Sequence, residues 1–186
     1  MVAATQTLTD GSFARWPTWL QRELRSDHAG ESGAVEIYRG ILAVSRNPAV
    51  RAFAEGHVQT ERAHLEIMDE LVPPRQRSRL TALWRLAGWL TGALPALFGP
   101  RAVFRTIEAV EDFVDGHYQS QIDALDNSPG DFETLRRVLA ACRDDEVHHR
   151  DDALSHAGGP PGLPGRVWAW LVDAGSRAGV LVAKRI

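Results

Sequence analysis

The sequence predicts an all-α protein, a four-helix bundle with additional short amphipathic helices. Two observations carry that prediction. Apolar residues recur at three- and four-residue steps through four long stretches, the period of a helix with one buried face. Two of those stretches also hold a Glu and a His three residues apart, Glu61-Arg62-Ala63-His64 and Glu146-Val147-His148-His149. Residues at that spacing share one helix face about a turn apart, so both side chains can reach one metal ion. A single such pair is common on a solvated helix. Two pairs, each inside an apolar stripe, match the paired-metal carboxylate site of a bundle, which adds one Glu from each of the other two helices.

Composition sets the limits. At 186 residues and 44% hydrophobic, the chain can bury one substantial core, and a single domain is expected over residues 16–186. Residues 1–15 are small and polar and read as a flexible N-terminal arm; they lack the apolar core of a signal peptide, so a cytosolic starting compartment is the default. A formal charge of −3, with arginines scattered among acids, argues against nucleic acid as a partner. Cys142 is the only cysteine, which excludes an internal disulfide and every multi-cysteine metal site.

The first helix is expected from about Pro17 to Arg46, with Leu20, Leu24, Asp27, His28, Glu31, Ala34, Val35, Tyr38, Ile41 and Leu42 on its stripe. Glu31 therefore points at the core. Asn47-Pro48 opens the second helix, with Asn as N-cap and Pro at the first helical position, and Pro73-Pro74 closes it. Its stripe runs through Val50, Phe53, Ala54, His57, Val58, Glu61, His64, Leu65, Met68 and Leu71. Burying ionisable groups is costly unless they are paired or bind metal, so Glu61 and His64 need partners there. His57 reads as a satisfied core histidine.

From Leu80 to Phe104 the chain turns strongly apolar, with fifteen uncharged residues between Arg85 and Arg101. A membrane span needs roughly 20 apolar residues, and Gly88, Gly92, Pro95 and Gly99 interrupt this run. With Trp84, Trp89, Leu90, Leu94 and Phe98 flanked by arginines, it reads as a segment at a membrane surface or lining an apolar channel; the alternative is an ordinary buried helix pair.

Pro100 opens the third long helix, to about Asp126, with Phe104, Ile107, Glu111, Val114, Tyr118, Ile122 and Leu125 on one face. At about 100° per residue, Glu111 sits near the centre of that face and Glu108 and Asp112 do not. After the turn Asn127-Ser128-Pro129-Gly130, the fourth helix runs from about Asp131 to His156. Glu146 and His149 straddle its stripe, whereas His148 of the competing pair Asp145/His148 lies roughly 100° or more away. A breaker loop at 158–162 then leads to a last amphipathic helix with Trp168 and Trp170, suited to docking or to resting on lipid.

Six residues are thus candidate metal ligands: Glu31, Glu61, His64, Glu111, Glu146 and His149. Four carboxylates balance two divalent ions, leaving the reduced site neutral. Oxygen-rich ligation with two imidazoles suits iron or manganese, and such a site is well arranged to bind and reduce dioxygen. Asp145 is placed to accept the other N–H of a ligand histidine, His64 across the bundle.

The runs LRSDHAGESGAVEIYRG (24–40), ERAH (61–64), AVEDFVDGHYQSQI (109–122) and RDDEVHHRD (143–151) resemble the demethoxyubiquinone hydroxylase family over about residues 20–186. The resemblance implies a ferritin-like fold, two iron ions on the six residues above, and a dioxygen-dependent monooxygenase that hydroxylates the benzoquinone ring of demethoxyubiquinone in ubiquinone biosynthesis. It implies a polyprenylated benzoquinone as substrate, NADH as a candidate reductant, and peripheral attachment at the cytoplasmic face of the cell membrane. It further implies self-association or a helper protein of the same pathway. His117 and Tyr118, on the same helix as Glu111, are candidates for positioning the ring or relaying a proton. Ser26, Ser32 and Glu36 depart from the residues the family commonly has there.

Two functional rivals compete with this reading, beside a purely structural bundle that six polar residues on four core stripes argue against. A ferritin-like ferroxidase or iron-binding protein with no organic substrate would not need the Trp-rich stretches at 84–98 and 166–182. A rubrerythrin-type peroxidase would need a four-cysteine module, and one cysteine rules it out.

Overall fold

The computed structural model describes residues 12–186, and among them finds seven α-helices, one 3-10 turn and no strand. The helices are α1 (Ser12–Arg15), α2 (Thr18–Val44), α3 (Pro48–Leu71), α4 (Thr81–Ala96), α5 (Pro100–Asp126), α6 (Glu133–Ala157) and α7 (Leu163–Ala183). The arm expected over 1–15 lies, for residues 1–11, outside the described residues. Its last four residues depart from the expectation: they form α1, and Phe13 is buried against Leu20 and Leu24 in the core.

The bundle is α2, α3, α5 and α6, all-α and ferritin-like. Short connections hold α2 to α3 and α5 to α6, and one long crossover carrying α4 joins the two pairs. Asn47 caps α3 as expected, its Oδ1 accepting from the backbone N–H of Ala49 at 3.0 Å and Val50 at 3.2 Å. Asp115 on α5 pins α6 through Arg143 and Arg150, each at 2.7 Å. Gly158, at φ 70°, ends α6 in the left-handed region a glycine enters at no steric cost. Arg101 and Arg105 then take up the carbonyls at 158–160.

The apolar core has two parts. One gathers Val35, Tyr38, Ile41, Phe53, Phe104 and Ile107; the other gathers Leu24, Met68, Tyr118, Ile122, Leu135 and Leu139. The six candidate ligands fall between them along the helices, all buried.

The apolar stretch after residue 80 is one helix, α4, not a buried helix pair. Its glycine face lies against α2: a methyl group on Gly88 would overlap the backbone of Gly33, one on Gly92 that of Ile37, and one on Gly40 that of Trp89. The glycines that interrupt the run are therefore what lets two backbones approach. Arg85 adds an ion pair to Glu36 at 2.9 Å, one of the positions where the chain departs from its resemblance. The opposite face of α4 exposes Leu83, Leu86, Leu94 and, at the loop that follows, Leu97 and Phe98. Helix α7 docks on α5 by Trp168, whose indole N–H donates to Thr106 Oγ1 at 2.8 Å, and leaves Val167, Trp170 and Leu181 exposed. No described helix is long and apolar enough to cross a membrane.

Candidate metal centre

The four bundle helices bring the six predicted residues to one place. Glu31, Glu61, His64 and Glu146 each offer an atom to a group lying within 4.8 Å; Glu61, Glu111, Glu146 and His149 form a second such group. The two groups share Glu61 and Glu146. Each then has one carboxylate of its own (Glu31 or Glu111) and one imidazole (His64 or His149), so two cations could be held side by side with two carboxylates in common.

Unpaired atoms test whether a metal fits. Glu31 Oε2, both oxygens of Glu61, Glu146 Oε2 and His149 Nδ1 are buried without a hydrogen-bond partner. Leaving such groups unsatisfied costs several kcal/mol in sum, and every one of them is a ligand atom type. His149 Nδ1 lies 2.9 Å from Glu61 Oε1 and 3.3 Å from Glu146 Oε2 without the alignment of a hydrogen bond. The four residues that carry these atoms all belong to the two groups whose ligand atoms lie within 4.8 Å of one another. The residues fit a pair of metal ions.

Three of the candidate ligand side chains are held from outside the cluster. Tyr118 on α5 donates its hydroxyl to Glu31 Oε1 on α2 at 2.5 Å, and Tyr38 on α2 donates to Glu111 Oε1 on α5 at 3.0 Å. Asp145 Oδ2 lies 3.1 Å from His64 Nε2, as the sequence suggests. A carboxylate only accepts, so in the metal-free site both ring nitrogens carry a proton, Nε2 toward Asp145 and Nδ1 toward Glu146 at 3.1 Å, and a metal at Nδ1 would displace only the second. His57 is satisfied by Asp152 at 2.8 Å, and His148 is exposed.

Electrostatics in the metal-free site follow from burial. Burial pushes Glu31 and Glu111 well above the usual carboxylate range, with neighbouring carboxylates adding to it, and raises Glu61. Burial disfavours the His64 imidazolium, but Glu146, Glu31 and Glu61 outweigh it and carry the group up to about 10. His149 rises to about 11 by the same balance against Glu146, Glu61 and Glu111. Burial opposes ionisation of Glu146 too, yet the two imidazoles hold it at about 2. Without metal, protons supply the positive charge that these carboxylates need.

A cavity of about 340 Å3 reaches this cluster, with Glu31, Glu111 and Glu146 at its polar end. Its walls are apolar and come from α2, α4, α5 and α7, including Trp84, Phe113 and Trp168. His117 and Tyr118 also line it. His117 Nε2 is 3.0 Å from Asp27, which also accepts from Gln121 at 2.7 Å.

A protein-family model described as COQ7, ubiquinone biosynthesis protein COQ7, matches residues 18–183. The chain belongs to the COQ7 family. Among COQ7-type relatives, a Rhodospirillum rubrum protein named 3-demethoxyubiquinol 3-hydroxylase is 36% identical over 174 residues, 90% of this chain and 78% of that protein. A human protein named mitochondrial NADPH-dependent 3-demethoxyubiquinone 3-hydroxylase is 33% identical over 171 residues, 90% of this chain and 78% of its own. The Caenorhabditis elegans protein of the same name is 28% identical over 173 residues, 90% of both chains.

One site residue of this COQ7-family chain is not among the sequence candidates: Tyr38 lies on the core stripe of α2, and the fold sets it against Glu111. The signal was present: Glu31 and Tyr38 stand seven residues apart on α2, as Glu111 and Tyr118 do on α5. Two turns on one face of each helix let each tyrosine reach the other helix's carboxylate.

Proposed function

We propose that this chain hydroxylates the benzoquinone ring of demethoxyubiquinone in ubiquinone biosynthesis, with two iron ions held by Glu31, Glu61, His64, Glu111, Glu146 and His149. The observation that carries this reading is an apolar cavity that reaches Glu31, Glu111 and Glu146 of the two carboxylate–imidazole groups. Its volume lies within the range of small-molecule sites. The names of the relatives supply the substrate and the reaction.

When bound, the iron pair supplies the redox chemistry that activates dioxygen for insertion of one oxygen atom into a ring C–H bond. The protein's own groups do the rest. Glu61 and Glu146, common to both groups, would be shared between the two ions. The Tyr38 and Tyr118 hydroxyls each occupy one oxygen of Glu111 and Glu31, fixing the carboxylates, and Asp145 fixes the His64 tautomer. The apolar walls keep water from the reacting ring. Tyr118 and His117 border the same cavity, where His117, oriented by Asp27, positions the ring or carries a proton at Nε2.

A quinone with a long isoprenoid tail stays in the bilayer, so the head group has to enter from lipid. The exposed apolar faces of α4 and α7, whose other faces wall the cavity, suit peripheral attachment at the cytoplasmic face of the cell membrane, with α4 at the entrance. The reductant is a nicotinamide nucleotide, NADH or the NADPH of the relatives' names. An iron-oxidising protein with no organic substrate has no use for such a cavity. The test is lipid extraction from a strain lacking the gene. Loss of ubiquinone with accumulation of the precursor short of one ring oxygen is expected, restored by the wild-type gene; unchanged ubiquinone in a strain with no second hydroxylase overturns the assignment.

A further inference from the structure

A second concavity, of about 390 Å3, opens where the start of α2 meets the end of α7, and its lining is basic: Thr18, Gln21, Arg22, Arg25, Lys184 and Arg185. In a chain of net charge −3, four cations converging on one hollow stand out. Arg25 is held in place by neutral acceptors only, its Nε donating to the Gln76 carbonyl at 2.7 Å and its Nη1 to the Lys184 carbonyl at 3.4 Å, so its charge is fixed in position and uncompensated. Lys184 pairs with Glu23 at 2.7 Å. Among the described residues, no carboxylate lies within ion-pair distance of Arg22 or Arg185. Four positive charges thus face one negative charge.

From these observations we propose that Arg22, Arg25, Lys184 and Arg185 form a phosphate-binding site. Arginine's planar fork matches a phosphoryl group bidentately, and a cluster of such forks with unfilled donors is the chemistry that phosphates select. The site borders the apolar cavity. Ser26, one turn beyond Arg22, and Ala183, next to Lys184, both line that cavity. At 1.5 Å of rise per residue, Arg22 and Arg25 lie roughly 9–14 Å along α2 from Glu31. A phosphate held there sits at the rim, while the rest of its molecule can extend into the cavity or away from it. Two sources present this chemistry: the diphosphate of a soluble nucleotide, or the headgroup of an anionic phospholipid.

The experiment uses the full chain, metal-loaded, in detergent or with vesicles, and reads binding without turnover, so its failure is separate from failure of the hydroxylase reading. ADP-ribose, a diphosphate lacking a redox-active ring, is titrated by calorimetry. Vesicles of phosphatidylcholine, with and without phosphatidylglycerol, are tested by flotation. Arg22→Gln with Arg185→Gln is expected to weaken one of these roughly tenfold or more, as expected for losing charged hydrogen bonds. Glu23→Gln, which frees Lys184, should strengthen the same one, and Arg137→Gln, at an exposed arginine of α6 outside this lining, should change neither. Loss confined to ADP-ribose assigns the site to a soluble diphosphate; loss confined to the phosphatidylglycerol-dependent part assigns it to a headgroup; loss of both shows a shared phosphate site. Arg185→Gln alone serves if the double variant misfolds. Neither affinity changing, or no wild-type binding of either probe, overturns the proposal.

Discussion

At the residue scale, the separation of ligand from bystander rests on helical phase, and the histidines test it. His149 is buried beside Glu61 and Glu146, while its neighbour His148 is exposed. Purified protein is expected to bind about two iron ions per chain. Glu61→Ala or His149→Ala should lower that content to one or none and abolish hydroxylation, whereas His148→Ala keeps both within about twofold of wild type, since substitutions on exposed surface seldom cost more than ~0.5 kcal/mol. Metal analysis of the three variants decides; an equal loss in His148→Ala contradicts the assignment of Glu146 and His149 over Asp145 and His148.

The protonation of the same residues predicts a pH dependence. The folded, metal-free protein holds His64 up to about 10 and His149 up to about 11, above their unfolded values. The stability this contributes is complete below the unfolded histidine value of 6.5 and is lost as pH rises through those folded values. Glu31, Glu61 and Glu111, also raised, act in the same direction from their unfolded value upward. Glu146, held at about 2, acts oppositely, but only in acid. The Tm of metal-free protein should therefore fall from about pH 6.5 to about pH 9. The stabilisation added by metal should grow over the same interval, because the ions displace these protons. Thermal melts with and without metal at the two pH values check both slopes; a metal-free Tm that rises with pH contradicts the electrostatic account.

At the scale of elements, the contact between α2 and α4 depends on glycine. Gly92 has no room for a Cβ against the Ile37 backbone, and backbone, unlike a side-chain tip, cannot swing aside. Gly92→Ala should push α4 off α2 and cost about 1–3 kcal/mol, as overpacking does. The cavity wall that α4 supplies through Trp84 and Gly88 should open with it. Denaturant unfolding measures the first effect and proteolysis within 73–99 the second. Wild-type stability in this variant would show that α4 is not seated as described. Gly30, with open space where its Cβ would point, is the control.

At the scale of the whole molecule, the exposed apolar faces of α4 and α7 are too much surface to leave in water without a use. The protein is expected to float with lipid vesicles and to be released by detergent, as a molecule attached through partly buried helices and not through a span. Phe98→Ser combined with Trp170→Ser should lower the bound fraction by about tenfold or more, given roughly 1.5–3 kcal/mol for each large side chain withdrawn from water. Full recovery of wild-type protein with the soluble fraction in the presence of vesicles would refute attachment.

Periodicity determined the four bundle helices and the six buried ligand candidates, because a helix with one core-facing stripe writes that face into its sequence at a fixed rotation, and residue type marked the helix starts at Asn47 and Pro100. Phase describes a residue relative to its own helix only. It could not reveal that α2 is buried on a second face, where Gly33, Ile37 and Gly40 meet α4, since that face is created by a helix arriving from elsewhere. Nor could it pair Tyr38 with Glu111, or bring Arg22 to Arg185 across more than 160 residues of chain. Those contacts depend on how far one helix slides and turns against another. That register is decided by the packing of the side chains between them, and it is what brings the candidate ligands of four stripes into one cluster at the end of a cavity.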